Sequence, residues 1–510
     1  MACSTKQPVA AGSGARTLRT LLDGLAPAEV LARVGEQASS GVFDDSRRVL
    51  PGAIFVALRG TNADGRQFIP EALARGAAVI VGEDLPPADN AIVVNVADAR
   101  LALTTLAWRW HGLWQDGCGG LKLVGITGTN GKSTTAFMAR AILRAAGWKC
   151  GLLGTVHYDL CGRSVTARMT TPGALDLAGY LRECIDNGAV AAVMEVSSHA
   201  LDQRRTDGLR FAAAAFTNLT GDHLDYHGTF ENYRAAKRRL FTGLQEGAVA
   251  VVNRDDPCHQ EMLRDCRARV LTYALEQAAD ITARITRSTS EGTYYRLRIA
   301  GCELVLENSV VGRHNVYNAA AAAGLAWALG VGTEAIAAGL MSVRNIPGRL
   351  QRVPCACPAD VFVDYAHTDD ALRNVLAALK PLTRRRLIVV FGCGGDRDRS
   401  KRPRMAQAAA AYADAIVVTS DNPRSEDPRQ IIDEILTGFD EQARRRVTVE
   451  PDRGAAIRAA LAAASTGDVL LIAGKGHETY QIIGQQRIHF DDVEVAIQAA
   501  AELAGGARRG

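Results

Sequence analysis

The stretch LKLVGITGTNGKSTTAFMARAILRAAG (121–147) decides the fold of this chain. It begins with an apolar run of strand length and continues through a glycine-rich loop, GITGTNGKST (125–134). It ends in a helical pattern. Glycines let backbone N–H groups approach phosphates, and the N-terminus of the following helix adds a favourable partial charge. In such a loop Lys132 would reach the β- and γ-phosphates, and the Ser133 hydroxyl would hold Mg²⁺.

The glycine spacing of this loop departs from the general phosphate-loop pattern, G-x-x-x-x-G-K-[ST]. Ile126 stands where that pattern has its first glycine, Gly125 lies one residue earlier, and Gly128 falls inside the loop. The alternative interpretation is a glycine-rich turn with an incidental lysine. Because the loop lies between a strand and a helix, as phosphate binding requires, we predict that the chain binds a nucleoside triphosphate.

Strand and helix patterns alternate on both sides of this loop. Continuous apolar runs at 189–196 and 248–253 are typical of parallel strands covered on both faces. In residues 280–312, by contrast, apolar and polar residues alternate, as in an antiparallel hairpin with one exposed face. Pro347 and Gly348 then break a helical segment, which indicates a boundary. Four further strand candidates follow: VFVDYA, RLIVVFGCG, ADAIVVTSD and DVLLIAGKG.

The chain length and these patterns predict an α/β protein of three domains. Short apolar runs separated by polar turns indicate a small mixed α/β domain at residues 1–105. We expect a central P-loop parallel-sheet ATPase domain at 106–345 and a Rossmann-like domain at 346–510.

Composition excludes several classes of protein. The 510 residues include 59 Lys and Arg against 55 Asp and Glu, a net charge of +4, so we expect neither a nucleic-acid partner nor an anionic membrane surface. Eleven cysteines without a CxxC pair argue against a disulfide framework and a structural zinc site, and fit reduced thiols in a cytosol. The uncharged stretch 315–333 is rich in alanine and glycine, which predicts a packed helix and no membrane insertion.

Two polar motifs follow predicted strands. Glu195 ends the run at 189–196, at the edge where open α/β sheets bind ligands. A carboxylate there is costly unless paired or metal-bound, so Mg²⁺ is its natural partner, and a buried ion pair is the alternative. The loop TNLTGDHLDYHG (217–228) concentrates His223 and His227 with two aspartates; its alternative is an ordinary solvated loop.

Taken together, the motifs resemble the Mur ligases, ATP-dependent enzymes that build the peptidoglycan stem peptide. The resemblance runs from DSRRVLPG (45–52) to GKGHETYQ (474–481). Between them it includes GTNGKST, MEVSSHAL, NLTGDHLDYHG, NYRAAKRRLF and GRHNVYN. The shifted glycine spacing is that family's own version of the phosphate loop. The resemblance implies the three-domain plan, with a UDP-sugar on the first domain, ATP on the second and an amino acid on the third.

The resemblance also implies three groups of binding residues. ATP would be bound by Gly128, Thr129, Asn130, Gly131, Lys132, Ser133, Thr134, Asn315, Asn318, Arg349 and Asp364. The UDP-muramoyl dipeptide would be held by Asp44, Ser46, Thr170, Thr171, Ser197, Gln203 and Arg205, although Ser46 alone could equally be a turn or helix cap. The amino acid would be held by Arg397, Asp421, Asn422, Pro423, Arg424, Gly474 and Glu478.

Lys237 lies in NYRAAKRRLF (232–241), which by itself is a basic amphipathic helix in which a surface lysine is expected. In the family the matching lysine carries a carbamate, formed with CO₂, that binds Mg²⁺. The resemblance therefore implies a metal site of Ser133, Glu195, His223 and carbamylated Lys237. The implied catalytic residues are Lys132, Lys237 and His223.

The DNPR tetrapeptide (421–424) could be a simple turn, but in the family it accompanies addition of meso-2,6-diaminopimelate. The resemblance thus implies an ATP-dependent amide ligase that adds this amino acid to UDP-N-acetylmuramoyl-L-alanyl-D-glutamate through an acyl phosphate, in cytoplasmic peptidoglycan precursor synthesis. The rivals are the lysine-adding ligases and folylpolyglutamate synthetase, against which the DSR and DNPR motifs argue. A P-loop switch or motor is disfavoured because no charged arm or coiled coil is present.

Overall fold

A computed structural model describes residues 16–60, 63–87, 91–114 and 118–506. Their strands form sheets of four, eleven, six and two strands. The three larger sheets, with the helices packed on them, confirm the predicted α/β architecture of three domains. The boundaries at 105/106 and 345/346 stay predictions.

The first sheet is parallel and runs in the order β1-β2-β3-β4. Short 3₁₀ helices at 46–48 and 65–68 flank its second strand. The elements here are α1 (Leu18–Leu22), α2 (Ala28–Val34), β1 (Val42–Phe43), β2 (Ile54–Ala57), α3 (Ile69–Ala74), β3 (Val79–Gly82), β4 (Ile92–Asn95) and α4 (Ala99–Trp110).

The eleven-stranded sheet begins with the strand that precedes the phosphate loop. Its elements are β5 (Lys122–Thr127), α5 (Lys132–Ala145), β6 (Cys150–Leu153), β7 (His157–Asp159), β8 (Ser164–Thr166), α6 (Ala174–Asp186), β9 (Ala191–Glu195), α7 (Ser198–Asp202), β10 (Phe211–Phe216), α8 (Leu224–His227), α9 (Phe230–Thr242), β11 (Val249–Asn253), α10 (His259–Leu263), β12 (Arg269–Ala274), β13 (Ile281–Thr289), β14 (Gly292–Ile299), β15 (Cys302–Asn308), α11 (Arg313–Ala328) and α12 (Thr333–Ser342).

These strands run in the order β15-β14-β13-β12-β11-β10-β5-β9-β6-β7-β8. The strands from β13 to β6 pair in parallel, and both ends continue as antiparallel hairpins. Both faces of β5 are buried: Leu123 belongs to one core, and Val124 and Ile126 belong to the opposite core, with residues of α5 and α11. The continuous apolar runs are explained by this double burial.

The third large sheet runs β16-β17-β21-β18-β19-β20, with only the edge strand β16 antiparallel. A separate antiparallel hairpin, β22–β23, lies beside it. The elements here are β16 (Gln351–Arg352), β17 (Asp360–Asp364), α13 (Asp369–Leu379), a 3₁₀ helix (Lys380–Leu382), β18 (Leu387–Phe391), α14 (Lys401–Tyr412), β19 (Ala415–Val418), α15 (Pro428–Leu436), α16 (Glu441–Arg444), β20 (Val447–Val449), α17 (Arg453–Ala463), β21 (Val469–Ala473), β22 (Tyr480–Ile483), β23 (Gln486–His489) and α18 (Asp492–Gly506).

The uncharged stretch 315–333 forms most of the buried helix α11, as predicted. Gly324 lies where a Cβ would stand 2.8 Å from Val251 Cγ1, so small residues let this helix approach the sheet closely. Within the described ranges, no helix is both long and apolar enough to cross a membrane. The ten cysteines that the structure describes are free thiols, and Cys3 lies outside the described residues.

Candidate active site

The phosphate loop joins the carboxyl end of β5 to the first turn of α5, and two of its glycines are required by close contacts. Gly128 and Gly131 have φ angles of 148° and 85°. A Cβ at Gly128 would lie 1.8 Å from Thr217 Oγ1, and one at Gly131 would lie 2.3 Å from Asn318 Oδ1. Any larger residue at either position would collide with these neighbours.

Two lysine ammonium groups meet at this loop. Lys132 Nζ donates to the carbonyl oxygens of Gly128 at 2.8 Å and Thr129 at 2.7 Å. Lys237 Nζ donates to the same Gly128 oxygen, also at 2.8 Å. The two nitrogens are therefore close neighbours, although like charges repel, and the arrangement favours a negatively charged group between or beside them.

Lys237 is only 1% exposed, so the surface-lysine interpretation of the NYRAAKRRLF motif is wrong. The side chain leaves α9 toward the sheet, with Nζ 4.6 Å from the centre of the Tyr233 ring. Burial lowers the pKa of Lys237 well below its ordinary value, and Lys132 lowers it further, whereas Asp222 opposes both. Because burial disfavours the ammonium form, the lone pair of the Lys237 amine is more readily available to act as a nucleophile.

Glu195 is 1% exposed and lies in a chain of hydrogen bonds that crosses the carboxyl edge of the sheet. Ser133 Oγ and Thr155 Oγ1 each donate to Glu195 Oε2 at 3.0 Å, and Thr155 N donates to Oε1 at 2.8 Å. Thr170 Oγ1 lies 3.0 Å from Thr155 Oγ1, and Arg349 Nη2 donates to Ser133 Oγ at 3.1 Å. Residues predicted to bind ATP, metal and dipeptide are thus joined in one network.

The Ser133 hydroxyl and the Glu195 carboxylate together offer hard oxygen ligands of the kind that Mg²⁺ prefers. Among the residues that the structure describes, no group of three or more His, Cys, Asp or Glu side chains could hold a metal ion. Mg²⁺ is commonly bound through one or two protein oxygens together with phosphate oxygens and water. Ser133 and Glu195 fit this type of site, in which the protein supplies only part of the metal ligands.

His223 lies in the loop after β10, in a left-handed conformation with φ of 55°. Its ring centre is 4.8 Å from that of His199, and its Nε2 is 3.6 Å from Asp222 Oδ2. Burial is the main reason why the pKa of His223 is lowered, although Asp222 acts in the opposite direction. A neutral imidazole can accept a proton or bind a metal.

The predicted dipeptide residues of the central domain form a connected cluster. Thr171 Oγ1 donates to the Glu195 carbonyl oxygen at 2.8 Å, and Ser197 N donates to Thr171 Oγ1 at 3.0 Å. Arg205 Nη1 donates to the Thr171 carbonyl at 2.8 Å, and Arg205 Nη2 donates to Gln203 Oε1 at 2.6 Å. Amide and guanidinium groups placed this way suit the carboxylate and carbonyl oxygens of a peptide.

The two predicted residues of the first domain lie at the short 3₁₀ helix between β1 and β2. Ser46 is buried, and its Oγ donates to Glu71 Oε2 at 2.6 Å. The cap of the 3₁₀ helix at 46–48 is Asp45, so the helix-cap interpretation of Ser46 is wrong. The Asp44 side chain is exposed beside this turn.

A cavity of about 300 Å³ lies between the central and C-terminal domains. Asp364 at the end of β17 accepts hydrogen bonds from Leu350 N at 2.6 Å and Ala366 N at 2.8 Å, so it also orders the chain around the cavity. The guanidinium of Arg349 stacks on the ring of Tyr365, with its central carbon 5.1 Å from the ring centre. Eight of the eleven predicted ATP residues line this cavity: Asn130, Gly131, Ser133, Thr134, Asn315, Asn318, Arg349 and Asp364.

A second cavity, of about 700 Å³, opens between the His223 loop and the C-terminal domain. Arg424 is half-buried, with φ of 52°, and its Nη1 donates to the Gly395 carbonyl at 2.7 Å. Pro423 is buried, and its carbonyl oxygen would be 1.9 Å from a Cβ at Gly395. Arg397 is exposed and donates to the carbonyl of Asp396. The predicted residues that line the cavity are His223, Arg397, Asp421, Asn422, Arg424, Gly474 and Glu478.

Sequence reasoning missed two residues of this region. Thr155 holds Glu195 in place, and its position after β6, at the same sheet edge, could have pointed to it. Asp370 in the first turn of α13 accepts from Asn130 Nδ2 at 2.9 Å and from Thr220 Oγ1 at 3.0 Å. No local pattern marks Asp370, because this contact crosses between domains.

Sequence profiles of one family match the chain in three places. Residues 40–109 match "Mur ligase family, catalytic domain", residues 126–326 match "Mur ligase middle domain", and residues 348–476 match "Mur ligase, glutamate ligase domain". In chain order, the three matched ranges contain most of the strands of the four-, eleven- and six-stranded sheets.

Individual relatives match over almost the whole chain. UDP-N-acetylmuramoyl-L-alanyl-D-glutamate–2,6-diaminopimelate ligase of Solibacter usitatus is 44% identical over 92% of this chain and 95% of its own length. The ligase of the same name from Geobacillus kaustophilus is 46% identical, covering 90% and 94%. A solved structure of a ligase of that name is 34% identical, with a TM-score of 0.69, and covers 96% of this chain and 100% of its own. This chain belongs to the Mur ligase family.

Proposed function

We propose that the protein is an ATP-dependent ligase that adds meso-2,6-diaminopimelate to UDP-N-acetylmuramoyl-L-alanyl-D-glutamate in cytoplasmic peptidoglycan precursor synthesis. The observation that carries the proposal is the hydrogen-bond chain Thr170–Thr155–Glu195–Ser133, which joins the dipeptide residues to the phosphate loop. The names of the relatives supply the substrates. The proposed domains are 1–105 for the UDP-sugar, 106–345 for ATP and 346–510 for the amino acid.

ATP would enter the smaller cavity, with its phosphates at the N-terminus of α5. Helix N-termini attract anions because their first N–H groups have no intrahelical partner. Lys132 donates to two carbonyl oxygens of the loop, and moving its ammonium from Gly128 and Thr129 to the γ-phosphate would stabilise the charge of the transfer step.

Ser133 and Glu195 would hold Mg²⁺ through oxygen, and His223 with a carbamate on Lys237 would complete the metal-binding groups. Mg²⁺ supplies neutralisation of phosphate charge in such sites. Carbamylation would start from the neutral amine of Lys237, formed when the ammonium releases its first proton. The amine nitrogen would bond to the carbon of CO₂ and lose a second proton, so that an anion replaces the cation. The burial of Lys237 and its crowding by Lys132 support this step, because both disfavour the ammonium form.

The glutamyl γ-carboxylate would attack the γ-phosphate of ATP, breaking its bond to the β-phosphate and releasing ADP. The amine of the incoming amino acid would then attack the acyl carbon, and the amide would form with release of inorganic phosphate and a proton. The two cavities lie on either side of the same domain junction, where Arg349 and Asp370 already reach the phosphate loop. Closure at this junction would exclude water from the acyl phosphate, which otherwise would be hydrolysed.

Lys237→Ala should abolish most activity, because the site loses the group that would carry the carbamate. Acetate or another short carboxylic acid should partly restore the rate, since it can occupy the vacated space with a negative charge. The measurement is the rate of ligation at increasing acetate concentration. The exposed Lys149, changed to Ala, is the matched control and should leave the rate unchanged. Full activity of Lys237→Ala without acetate would contradict the role of Lys237.

Phosphate release tests the proposed function inexpensively. The wild-type protein should release phosphate from ATP only when the UDP-muramoyl dipeptide is present, since attack on ATP needs the dipeptide carboxylate. ATP turnover at the same rate with ATP and Mg²⁺ alone would indicate a motor or switch and would reject the ligase.

A further inference from the structure

Lys475 is a fully buried lysine that the mechanism above does not use. It lies two residues after the end of β21, and its relative exposure is 0%. Its Nζ donates to the Tyr480 carbonyl at 2.7 Å and to Asn422 Oδ1 at 3.1 Å. The same nitrogen is 3.2 Å from Asp421 Oδ1 and 3.8 Å from Glu478 Oε2. One ammonium group therefore contacts three of the residues proposed to bind the amino acid.

The contacts continue beyond the ammonium group. Asn422 Nδ2 donates to Glu478 Oε2 at 2.9 Å, and Ile482 N donates to Asn422 Oδ1 at 3.0 Å. Gln481 Nε2 donates to the Asp421 carbonyl at 2.6 Å. Lys475 is thus at the centre of a network that ties the DNPR segment to strand β22.

We propose that Lys475 is a positioning residue that holds Asn422 and Glu478 in place and balances the charge of two carboxylates of the amino-acid pocket, the buried Asp421 and the half-buried Glu478. The proposal rests on the proposed function, since it concerns recognition of an amino acid whose side chain ends in an ammonium group. Without Lys475, the carboxylates of Asp421 and Glu478 would share a desolvated pocket. One of them would then hold a proton and would lose its attraction for that ammonium group.

The charge environment of Glu478 agrees with this role. Burial and Asp421 raise the pKa of Glu478, whereas Lys475, a hydrogen bond from Asn422 and Arg424 lower it. Loss of Lys475 should therefore raise this pKa further, and the ionised form would be reached only at higher pH. The titratable and charged groups that act on Glu478 or feel its charge are Asp421, Lys475, Arg424, Tyr480, Arg453 and Tyr365.

The test is Lys475→Met, assayed with ATP, the UDP-muramoyl dipeptide and diaminopimelate across the acidic and neutral pH range. We expect kcat/KM for diaminopimelate to fall by about 30-fold or more, as when one partner of a buried charge pair is lost. The pH above which kcat/KM reaches its plateau should rise by about one to three units. The KM values for ATP and the dipeptide should stay close to those of the wild type.

Lys380→Met is the control, because Lys380 is a partly exposed lysine of the same domain, paired with Asp414. If Lys475→Met does not fold, Lys475→Gln carries the test, since its amide removes the charge but can still donate to a neighbouring oxygen. An unshifted pH profile would overturn the proposal, and so would an equal rise of all three KM values. A wild-type protein that makes no product with diaminopimelate would instead overturn the proposed function.

Discussion

Lys132→Ala is expected to slow ligation by about 100-fold or more, because the charge that accumulates on the transferring phosphoryl group loses its cationic partner. The structure places the Lys132 ammonium against the carbonyls of Gly128 and Thr129, within the loop that would surround the phosphates. The loss should appear in kcat for both phosphate release and product formation, since the acyl phosphate precedes the amide.

The exposed Lys122 on β5 provides a matched control, and Lys122→Ala should retain wild-type kcat. Thermal unfolding of both variants should be measured, so that loss of rate is separated from loss of fold. Turnover of Lys132→Ala near that of the wild type would remove the basis for the phosphate-loop assignment.

Arg424→Ala should lower kcat/KM for diaminopimelate sharply while changing the KM values for ATP and the dipeptide little. A guanidinium that meets the distal carboxylate makes a charge-assisted contact, and truncating one partner of a buried charge pair costs about 2–5 kcal/mol. Because Arg424 is half-buried, we expect a cost at the lower end of that range. This corresponds to a loss of about 30-fold in kcat/KM for diaminopimelate, since about 1.4 kcal/mol is a factor of ten. Lysine lacks the distal carboxylate, so its use should change much less.

Arg429, an exposed arginine of α15 close to the DNPR segment, is the matched control for this experiment. Arg429→Ala should leave the kinetics with both amino acids unchanged. Equal losses for diaminopimelate and lysine in Arg424→Ala would mean that the guanidinium shapes the pocket without selecting the carboxylate.

Much of the fold was predictable because both faces of the main strands are buried. Such strands appear as continuous apolar runs, and the four candidates after residue 353 correspond to β17, β18, β19 and β21. The short edge strands β16 and β20 were missed, since only two or three residues form each and one of their sides lacks a neighbour. The hairpin β22–β23 was also missed. All four residues of β23 are exposed, so this strand has no apolar run that would mark it in the sequence.

The arrangement of the candidate site was predictable where neighbouring residues form one motif, and not where a contact joins distant segments of the chain. The phosphate loop is local, so its strand, glycines and lysine can be recognised together. The burial of Lys237 depends on how α9 packs against the sheet, which the basic pattern of that helix does not reveal. Asp370 and Lys475 became visible only when distant segments were brought together in space.

The most direct test of the account is the mass of the product. Purified protein should be incubated with ATP, Mg²⁺ and UDP-N-acetylmuramoyl-L-alanyl-D-glutamate, together with either meso-2,6-diaminopimelate or lysine. We expect the nucleotide to gain one diaminopimelate residue joined by an amide, with little lysine adduct under the same conditions. An unchanged nucleotide mass, or equally efficient addition of lysine, would contradict it.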